Sequence, residues 1–360
     1  MQKIAFYGAR SLALGMYEAV KALYPEASCI GFIVTSMEGN PGTLAGKKVW
    51  ELGVLGGKLT DKEKDSLQVL IAVPEDRHRE IVAGLLKNGF RNYICMDSRR
   101  EARLMGRYYE RRGSFAPLHW RDGGKEVLCV YQVRSDKDRK LEKEYKLPEW
   151  AIPLQAGAET ASERICECRD NQGENISGKN ANYCELTALY WIWKNRLCAD
   201  RKEGGAEYYG LFHYRRILDI REEDLCRMTA HGIDVILPYP TMHEPDIREH
   251  PVRYVKEEDF GAMRKALSEL RPEYAEGFED ILRQPFFYNY NLLIARRRVL
   301  RDYCEWLFPI LERTEELSTP KGRERKDRYI GYLGESLETL YFLYNKDRLN
   351  IVHTGRIMLT

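Results

Sequence analysis

Apolar positions over residues 1–97 form short runs that alternate with stretches of helical periodicity. Lys3–Tyr7 reads as a strand, Ser11–Leu23 as a helix, Cys29–Val34 and Val69–Val73 as strands, Arg77–Asn88 as a helix and Asn92–Met96 as a last strand. Strands alternating with helices imply a parallel sheet covered on both faces, so an α/β fold is expected. The pattern then changes. Arg99, Arg103, Arg107 and Arg111 recur every four residues, with Arg100 and Arg112 beside them, as an arginine-rich helix between Asp97 and Phe115. Gly113–Gly124 reads as a linker, which divides the chain into a domain over 1–97, a helix and linker over 98–124, and a second domain over 125–360.

The second domain opens on the strand Glu126–Gln132 and continues with a strand at Ile233–Leu237, a helix at Glu257–Leu270, a strand-like aromatic segment at Phe286–Ala295, and helices at Val299–Leu311 and Arg328–Tyr344. Its densest chemistry lies in Glu174–Ile217, where Asn, Lys, Arg, His, Tyr and Trp sit between two apolar elements. Asn182 has the character of a helix cap, with Glu185 three residues on to reach back to the open amide. Leu186, Leu189, Tyr190, Trp193 and Leu197 then recur at helical spacing. Tyr208–Phe212 reads as an interior strand, which leaves His213-Tyr214-Arg215-Arg216 at its end with Lys179 in the loop before it. Guanidinium forks bind phosphate oxygens in pairs, so this stretch suits a phosphate-bearing ligand.

Composition narrows the classes. The 360 residues carry 57 basic and 55 acidic side chains, a net charge of +2, which argues against general nucleic-acid binding by phosphate neutralisation. No apolar run approaches the roughly 20 residues that span a bilayer, and the N-terminus lacks the apolar core of a signal peptide, so a cytoplasmic protein is expected, with the arginine-rich helix as a peripheral contact with the inner face of the membrane or a solvated connector. Nine cysteines form no spaced framework, and Cys166 and Cys168 have no second pair to complete a zinc site. The turn after the first strand, with Gly8, Arg10 and Ser11, lies where a nucleotide-binding domain puts its phosphate loop, but Arg10 and Ala13 stand where the dinucleotide fingerprint has glycine.

Two resemblances add to these readings. IAFYGA, IGFIV with LAGKKVWEL, and VLIAVPEDRHREIVAGLLKNGF make the first 95 or so residues similar to the Rossmann-like domain that begins bacterial sugar acyltransferases. That resemblance implies either a nucleotide-sugar site or a docking or oligomerisation role. Residues from about 126 to 345 resemble the bacterial domain family of unknown function 4422. The matching pieces, in the family's order, are IPLQAGA, DNQGENISGKNANYCELTALYWIWKN, YYGLFHYRR, DVILP, YNYNLLIARRRVLRDYCEWLFPIL and RYIGYLGES. The family is found in capsular and exopolysaccharide gene products and is treated as a GT-A-type glycosyltransferase module, one branch of which transfers galactofuranose. Two departures stand out: Tyr131-Gln132-Val133-Arg134 replaces a usual His-Lys pair, and Ser336 follows the glutamate of the last motif where an arginine is common.

The implied activity is transfer of a sugar from a nucleotide diphosphate, expected to be a uridine diphosphate sugar, to a glycan or lipid-linked acceptor. Such transfer needs a neutralised diphosphate and a base for the acceptor hydroxyl. His213, Tyr214, Arg215 and Arg216 are expected to replace some or all of the acidic metal motif, with only one arginine reaching the phosphates if the strand runs on. Asn175, Ser177, Lys179 and Asn180 are candidates for donor contacts, against the plainer reading that they organise turns. Glu335 is the first candidate base, its flanking glycines permitting close approach of a ligand, and Asp246 is the second, in a long Tyr239–Pro251 loop with His243 and His250 that suits an acceptor-side lid. Asn289, Asn291 and His250 are candidate sugar contacts. No cofactor is firmly implied; Mn2+ or Mg2+ stays open, with Asp170 and Asp219 as single ligands and Asp136-Lys137-Asp138 read as a solvated turn. A dinucleotide-dependent or sugar-nucleotide-modifying enzyme and a non-catalytic assembly subunit are the competing functions.

Overall fold

The computed structural model describes residues 3–115, 128–198, 206–225, 228, 231–320 and 325–360. The N-terminal part comprises β1 (Lys3–Tyr7), α1 (Ser11–Leu23), β2 (Ser28–Val34), β3 (Thr43–Leu44), β4 (Lys47–Glu51), α2 (Leu52–Lys58), α3 (Asp61–Ser66), β5 (Gln68–Ile71), α4 (His78–Lys87), β6 (Tyr93–Cys95) and α5 (Ser98–Arg112). Its six strands run in the order β3-β4-β2-β1-β5-β6, parallel apart from the β3–β4 pair. Alternation along β1 explains the layers: Ile4 and Phe6 pack with Ala13, Met16, Leu104 and Tyr108 of α1 and α5, while Ala5 and Tyr7 pack with Leu52, Leu55, Ile81 and Leu85. Gly8 leaves β1 at φ +122, where an added Cβ would lie 2.6 Å from the Ala72 carbonyl oxygen. Glycine there is a requirement of the turn itself.

The arginine-rich helix is α5. Asp97 caps it by accepting from the Arg100 amide at 2.8 Å, and Gly113 ends it in the left-handed region. Part of its charge is used by the fold, since Arg100 donates to the Cys95 carbonyl and Arg107 to the Tyr24 hydroxyl. The expected linker beyond Phe115 and the first two residues of the expected strand Glu126–Gln132 fall outside the described residues.

The rest of the chain builds on β7 (Leu128–Arg134), β8 (Ala151–Gln155), β9 (Cys168–Arg169), α6 (Asn180–Tyr183), α7 (Leu186–Ile192), β10 (Tyr208–His213), β11 (Arg216–Leu218) and α8 (Glu222–Leu225). It continues through β12 (Val235–Pro238), β13 (Thr241–Met242), α9 (Glu257–Leu270), α10 (Pro272–Leu282), β14 (Phe286–Phe287), β15 (Leu293–Arg296), α11 (Arg297–Leu317), α12 (Tyr329–Tyr344), β16 (Ile351–Thr354) and β17 (Arg356–Met358). The main path is β16-β12-β15-β10-β7-β8-β9, in which β15 runs against both of its neighbours. One face carries Tyr131, Leu154, Leu211 and Leu293 against α7, α9, α11 and α12; the other carries Val130, Phe212, Ile236 and Ile294 with Ile217 and Leu218.

Two local expectations are corrected. Asn182 does not cap the helix: it lies inside α6, Cys184 takes φ +53, and α7 restarts after Glu185, whose side chain goes to Asn291 instead. The aromatic segment 286–295 is not one strand, because Tyr290 and Asn291 adopt φ +76 and +48 between β14 and β15.

Candidate functional site

The site begins where β10 ends. Gly210 sits at the centre of that strand, where a Cβ would lie 2.7 Å from Ile294 and 2.8 Å from the Leu293 carbonyl, so the sheet closes tightly there. The strand does not run on through the arginines. Tyr214 and Arg215 form a turn, His213 pairs with Arg216 across it, and β11 returns antiparallel. The turn separates the two arginines more completely than alternation would. Arg215 leaves the site for Asp76 of the N-terminal part at 3.3 Å. Arg216 lies over the Tyr290 ring at 4.3 Å, with Arg356 over the same ring at 4.9 Å. Burial first, and then the positive charges of Arg215 and Arg356, lower the Arg216 pKa, and among the described residues no carboxylate pairs with it. His213 is held neutral by burial and lies 3.9 Å from Glu185. Tyr214 offers its backbone carbonyl to Gln132 at 3.1 Å and its side chain to a neighbouring cavity.

Tyr290, whose ring lies under Arg216, forms a strained pair with Asn291. Left-handed backbone costs a residue with a Cβ on the order of 1 kcal/mol or more, and such strain persists only where the surroundings hold it. Here the Tyr290 amide donates to Glu335 Oε1 at 3.1 Å and Asn291 Nδ2 donates to Glu185 Oε1 at 2.6 Å. The second Glu335 oxygen lies 3.1 Å from His250 Nε2. Both oxygens of this buried carboxylate are therefore aimed. The glycines beside it serve the protein rather than a ligand: a Cβ at Gly334 would meet Leu186 at 2.6 Å, and one at Gly331 would meet the Cys184 sulfur at 3.0 Å. They let α12 press against the start of α7.

A second histidine backs the first. His243 packs edge-on to His250 at 5.2 Å, contacts Thr241 Oγ1 at 3.2 Å and Glu249 at 3.4 Å, and Thr241 in turn bonds Asn289. Burial, then His250 and Arg253, bring the His243 pKa down to about 3, so it is neutral at physiological pH. One turn beyond Glu335, Glu338 is fully buried, and among the described residues neither of its oxygens has a hydrogen-bond partner. Burial, reinforced by the charges of Glu335 and Glu185, raises its pKa well above the usual carboxyl value.

These groups open onto a cavity of about 700 Å³ between the two parts of the chain. It brings together Arg10, Ser11, Arg216, His250, Asn289 and Glu335, taken from five separate stretches of sequence. It also recruits Glu249, Arg253, Tyr254, Tyr290 and Tyr332, which sequence reasoning did not single out. Tyr254 and Tyr332 stack at 4.7 Å on its wall. Arg248 and His250 at the end of the expected Tyr239–Pro251 lid, with Arg253 and Tyr254 directly after it, were the available signal for this wall.

The other candidates lie elsewhere. Asn175 closes its own turn, donating to the Gly173 carbonyl and accepting from the Ser177 amide. Ser177 donates to Asp170 at 2.5 Å, Lys179 pairs with Glu315 at 2.6 Å, and Asn180 donates to the Cys184 carbonyl at 2.7 Å. None of the four lines the cavity, so the geometry favours the turn-organising reading of this loop. Asp246 caps a short helical turn and is clamped by Arg248 at 2.5 Å, which holds its carboxyl below the usual range. Neither it nor Asn291, which donates to Glu185, lines Glu335's cavity.

Of the carboxylates weighed as metal ligands, those of Asp170, Asp136 and Asp138 are engaged within the protein. Asp170 is fully buried and accepts from the Gly157 and Ala158 amides, Ser177 and Thr187, which occupies its oxygens. Asp136 is taken by Ser162, and Asp138 by the Ser135 amide, with burial raising the Asp138 pKa to about 6. Among the described residues no group of three or more His, Cys, Asp or Glu is arranged to hold a metal ion. No described helix is long and apolar enough to cross a membrane.

Comparison with known proteins gives this geometry a setting. Residues 140–346 match the family described as "Domain of unknown function (DUF4422)". Among solved structures, the chain is similar to the apo structure of WbbM, a bifunctional glycosyltransferase, with a TM-score of 0.52 and 26% identity. The alignment covers 65% of this chain and 45% of that one, so the chain spans less than half of WbbM's length. No curated protein matches. With more than half of its residues inside the family match and a glycosyltransferase as its structural relative, the chain belongs to the DUF4422 family and has a glycosyltransferase-like α/β fold.

Proposed function

We propose that the protein transfers a sugar from a nucleotide-diphosphate donor to a hydroxyl of a growing surface polysaccharide or lipid-linked acceptor. The observation that carries this reading is that an aimed carboxylate and an arginine without a carboxylate partner open onto one cavity. Glu335 and Arg216 meet there, although the chain separates them widely. The relative's description as a glycosyltransferase supports the same reading.

In this mechanism Arg216 faces the diphosphate and offsets the charge that builds on it as the glycosidic bond breaks. Glu335, oriented by the Tyr290 amide and His250, accepts the proton of the acceptor hydroxyl as that oxygen attacks the anomeric carbon. The nucleoside diphosphate leaves with the bonding electrons. Asn289 hydrogen-bonds a sugar hydroxyl, and the Tyr254–Tyr332 stack offers an apolar wall to a sugar ring. The finer expectations belong to this proposal: a uridine diphosphate donor, with galactofuranose as one option, a GT-A-type module, a capsular or exopolysaccharide product, and work at the cytoplasmic face of the membrane with peripheral contact through α5.

A thermal-shift panel of nucleotide sugars, run with and without Mn2+, tests the class. A ligand that binds only the folded state raises its stability by mass action. Stabilisation by one uridine-diphosphate sugar, lost in Arg216→Ala, is expected; no stabilisation by any member would remove the reading.

A further inference from the structure

We infer that the N-terminal part is a component of the transferase site, and that Arg10 and Arg253 form a cationic subsite, separate from Arg216, for an anionic group on the acceptor. The inference rests on the transferase reading above and assigns the acceptor a phosphate or carboxylate close to its reactive hydroxyl.

The turn after β1 opens into the cavity that holds Glu335, with Arg10, Ser11 and Gly39 on its lining. That junction is well fixed. The Ala45 amide donates to Glu244 at 2.5 Å, the Tyr109 hydroxyl donates to the Pro240 carbonyl at 3.1 Å, and Arg215 pairs with Asp76 at 3.3 Å. Gly106 meets Tyr239 so closely that a Cβ would lie 3.0 Å from its hydroxyl. The wall carrying Arg10 therefore has a defined position relative to His250 and Glu335.

Arg10 has no carboxylate partner among the described residues; its guanidinium reaches only the carbonyl of Gly39. Arg253 pairs with Glu249, which His243 also engages. The two arginines are near enough that, after burial, the charge of Arg10 is the main influence lowering the Arg253 pKa. Three guanidiniums face two carboxylates in the cavity. Like charges converging on a cleft from two separate parts of a chain are unfavourable unless an anion sits between them. The donor's diphosphate belongs with Arg216 on the wall of Tyr290, so the anion at Arg10 and Arg253 falls to the acceptor. The open N-terminus of α1, which has no side-chain cap and no acidic residue in its first turn, adds to the attraction.

The test is calorimetric titration of the full chain, first with uridine diphosphate and then, at saturation with it, with octyl phosphate, octyl β-glucuronide and neutral octyl β-galactoside. Wild type is expected to bind one of the two anionic probes, phosphate identifying a phosphorylated acceptor and glucuronide an acidic sugar. Arg10→Ala should weaken that binding roughly tenfold, as loss of one charge-assisted contact predicts, with uridine diphosphate affinity changed less than about twofold. Arg10→Lys should restore most of the binding, which separates lost charge from a lost fold. Equal binding of the neutral probe, no binding of either anion, or an Arg10→Ala effect on uridine diphosphate as large as that on the anion would overturn the inference. If wild type fails to bind uridine diphosphate, the donor reading falls instead, and titration with inorganic pyrophosphate still decides whether Arg10 holds an anion.

Discussion

Glu335 and His250 are 85 residues apart in the chain, yet Oε2 of one lies 3.1 Å from Nε2 of the other, and the remaining oxygen of Glu335 accepts the amide of Tyr290. A carboxylate held at both oxygens has little freedom to turn away from an acceptor. Glu335→Gln keeps the shape and removes the proton-accepting charge, so kcat should fall by roughly 10²–10⁴-fold while donor-induced stabilisation persists. Single-turnover transfer and thermal shift on the same preparation check both halves.

Arg216, over the Tyr290 ring, tests the donor side. Arg216→Ala should weaken nucleotide-sugar binding by on the order of 2 kcal/mol, the scale of a charged hydrogen bond. Arg216→Lys should recover only part of it, since an ammonium lacks the paired donors. Donor titration of the three proteins reads this directly.

Lys179 separates ligand contact from scaffold. Its ammonium is committed to Glu315, 2.6 Å away, and Tyr183 also donates to that carboxylate. Lys179→Ala should lower stability by about 1 kcal/mol in denaturant melts, with donor affinity unchanged. A large rise in donor KM with an unaltered melt would restore the loop to the binding site.

His243 should govern part of the acid limb of stability. Its folded pKa of about 3 lies below the ordinary histidine value, so the unfolded chain takes up the proton first as pH falls. The contribution is fully present above about pH 6.5 and declines below it, at up to about 1.4 kcal/mol per pH unit. His243→Asn should flatten the dependence of ΔG on pH between 6.5 and 4 by about that slope. Asp138, whose folded pKa is raised to about 6, acts in the reverse sense but equally in both proteins, so the difference isolates His243.

Glu338 should show the opposite sign. Its folded pKa is raised, so the unfolded chain loses the proton first and stability declines as pH rises above the ordinary carboxyl value. Glu338→Gln removes that slope. Its melting temperature relative to wild type should rise from pH 4.5 to 8, and a constant difference across that range would show that Glu338 does not hold its proton in the folded protein.

Much of the fold is legible along the chain because it is written in local periodicity. Lys3–Tyr7, Ser11–Leu23 and Glu257–Leu270 coincide with their expected spans, since each alternates or repeats against a core that needs that face. The strands of 43–51 and the terminal pair β16 and β17 escaped notice because they have few buried positions of their own and exist through their partners. Asn182 and Glu185 failed as a cap for a related reason: Cys184 adopts φ +53, and Asn291 draws Glu185 away.

By itself the sequence determined the alternating α/β order, the buried strand that leads to His213, and the residue types that phosphate and hydroxyl chemistry require. Those follow from spacing and from the nature of each side chain. Which of them meet was decided by tertiary structure. Only a turn at Tyr214–Arg215 sends one arginine to Asp76 and the other to Tyr290, and only the docking of β1's turn against the later part of the chain carries Arg10 into the cavity of Glu335. Register and docking are properties of surfaces made by many residues at once, and no window along the chain contains them.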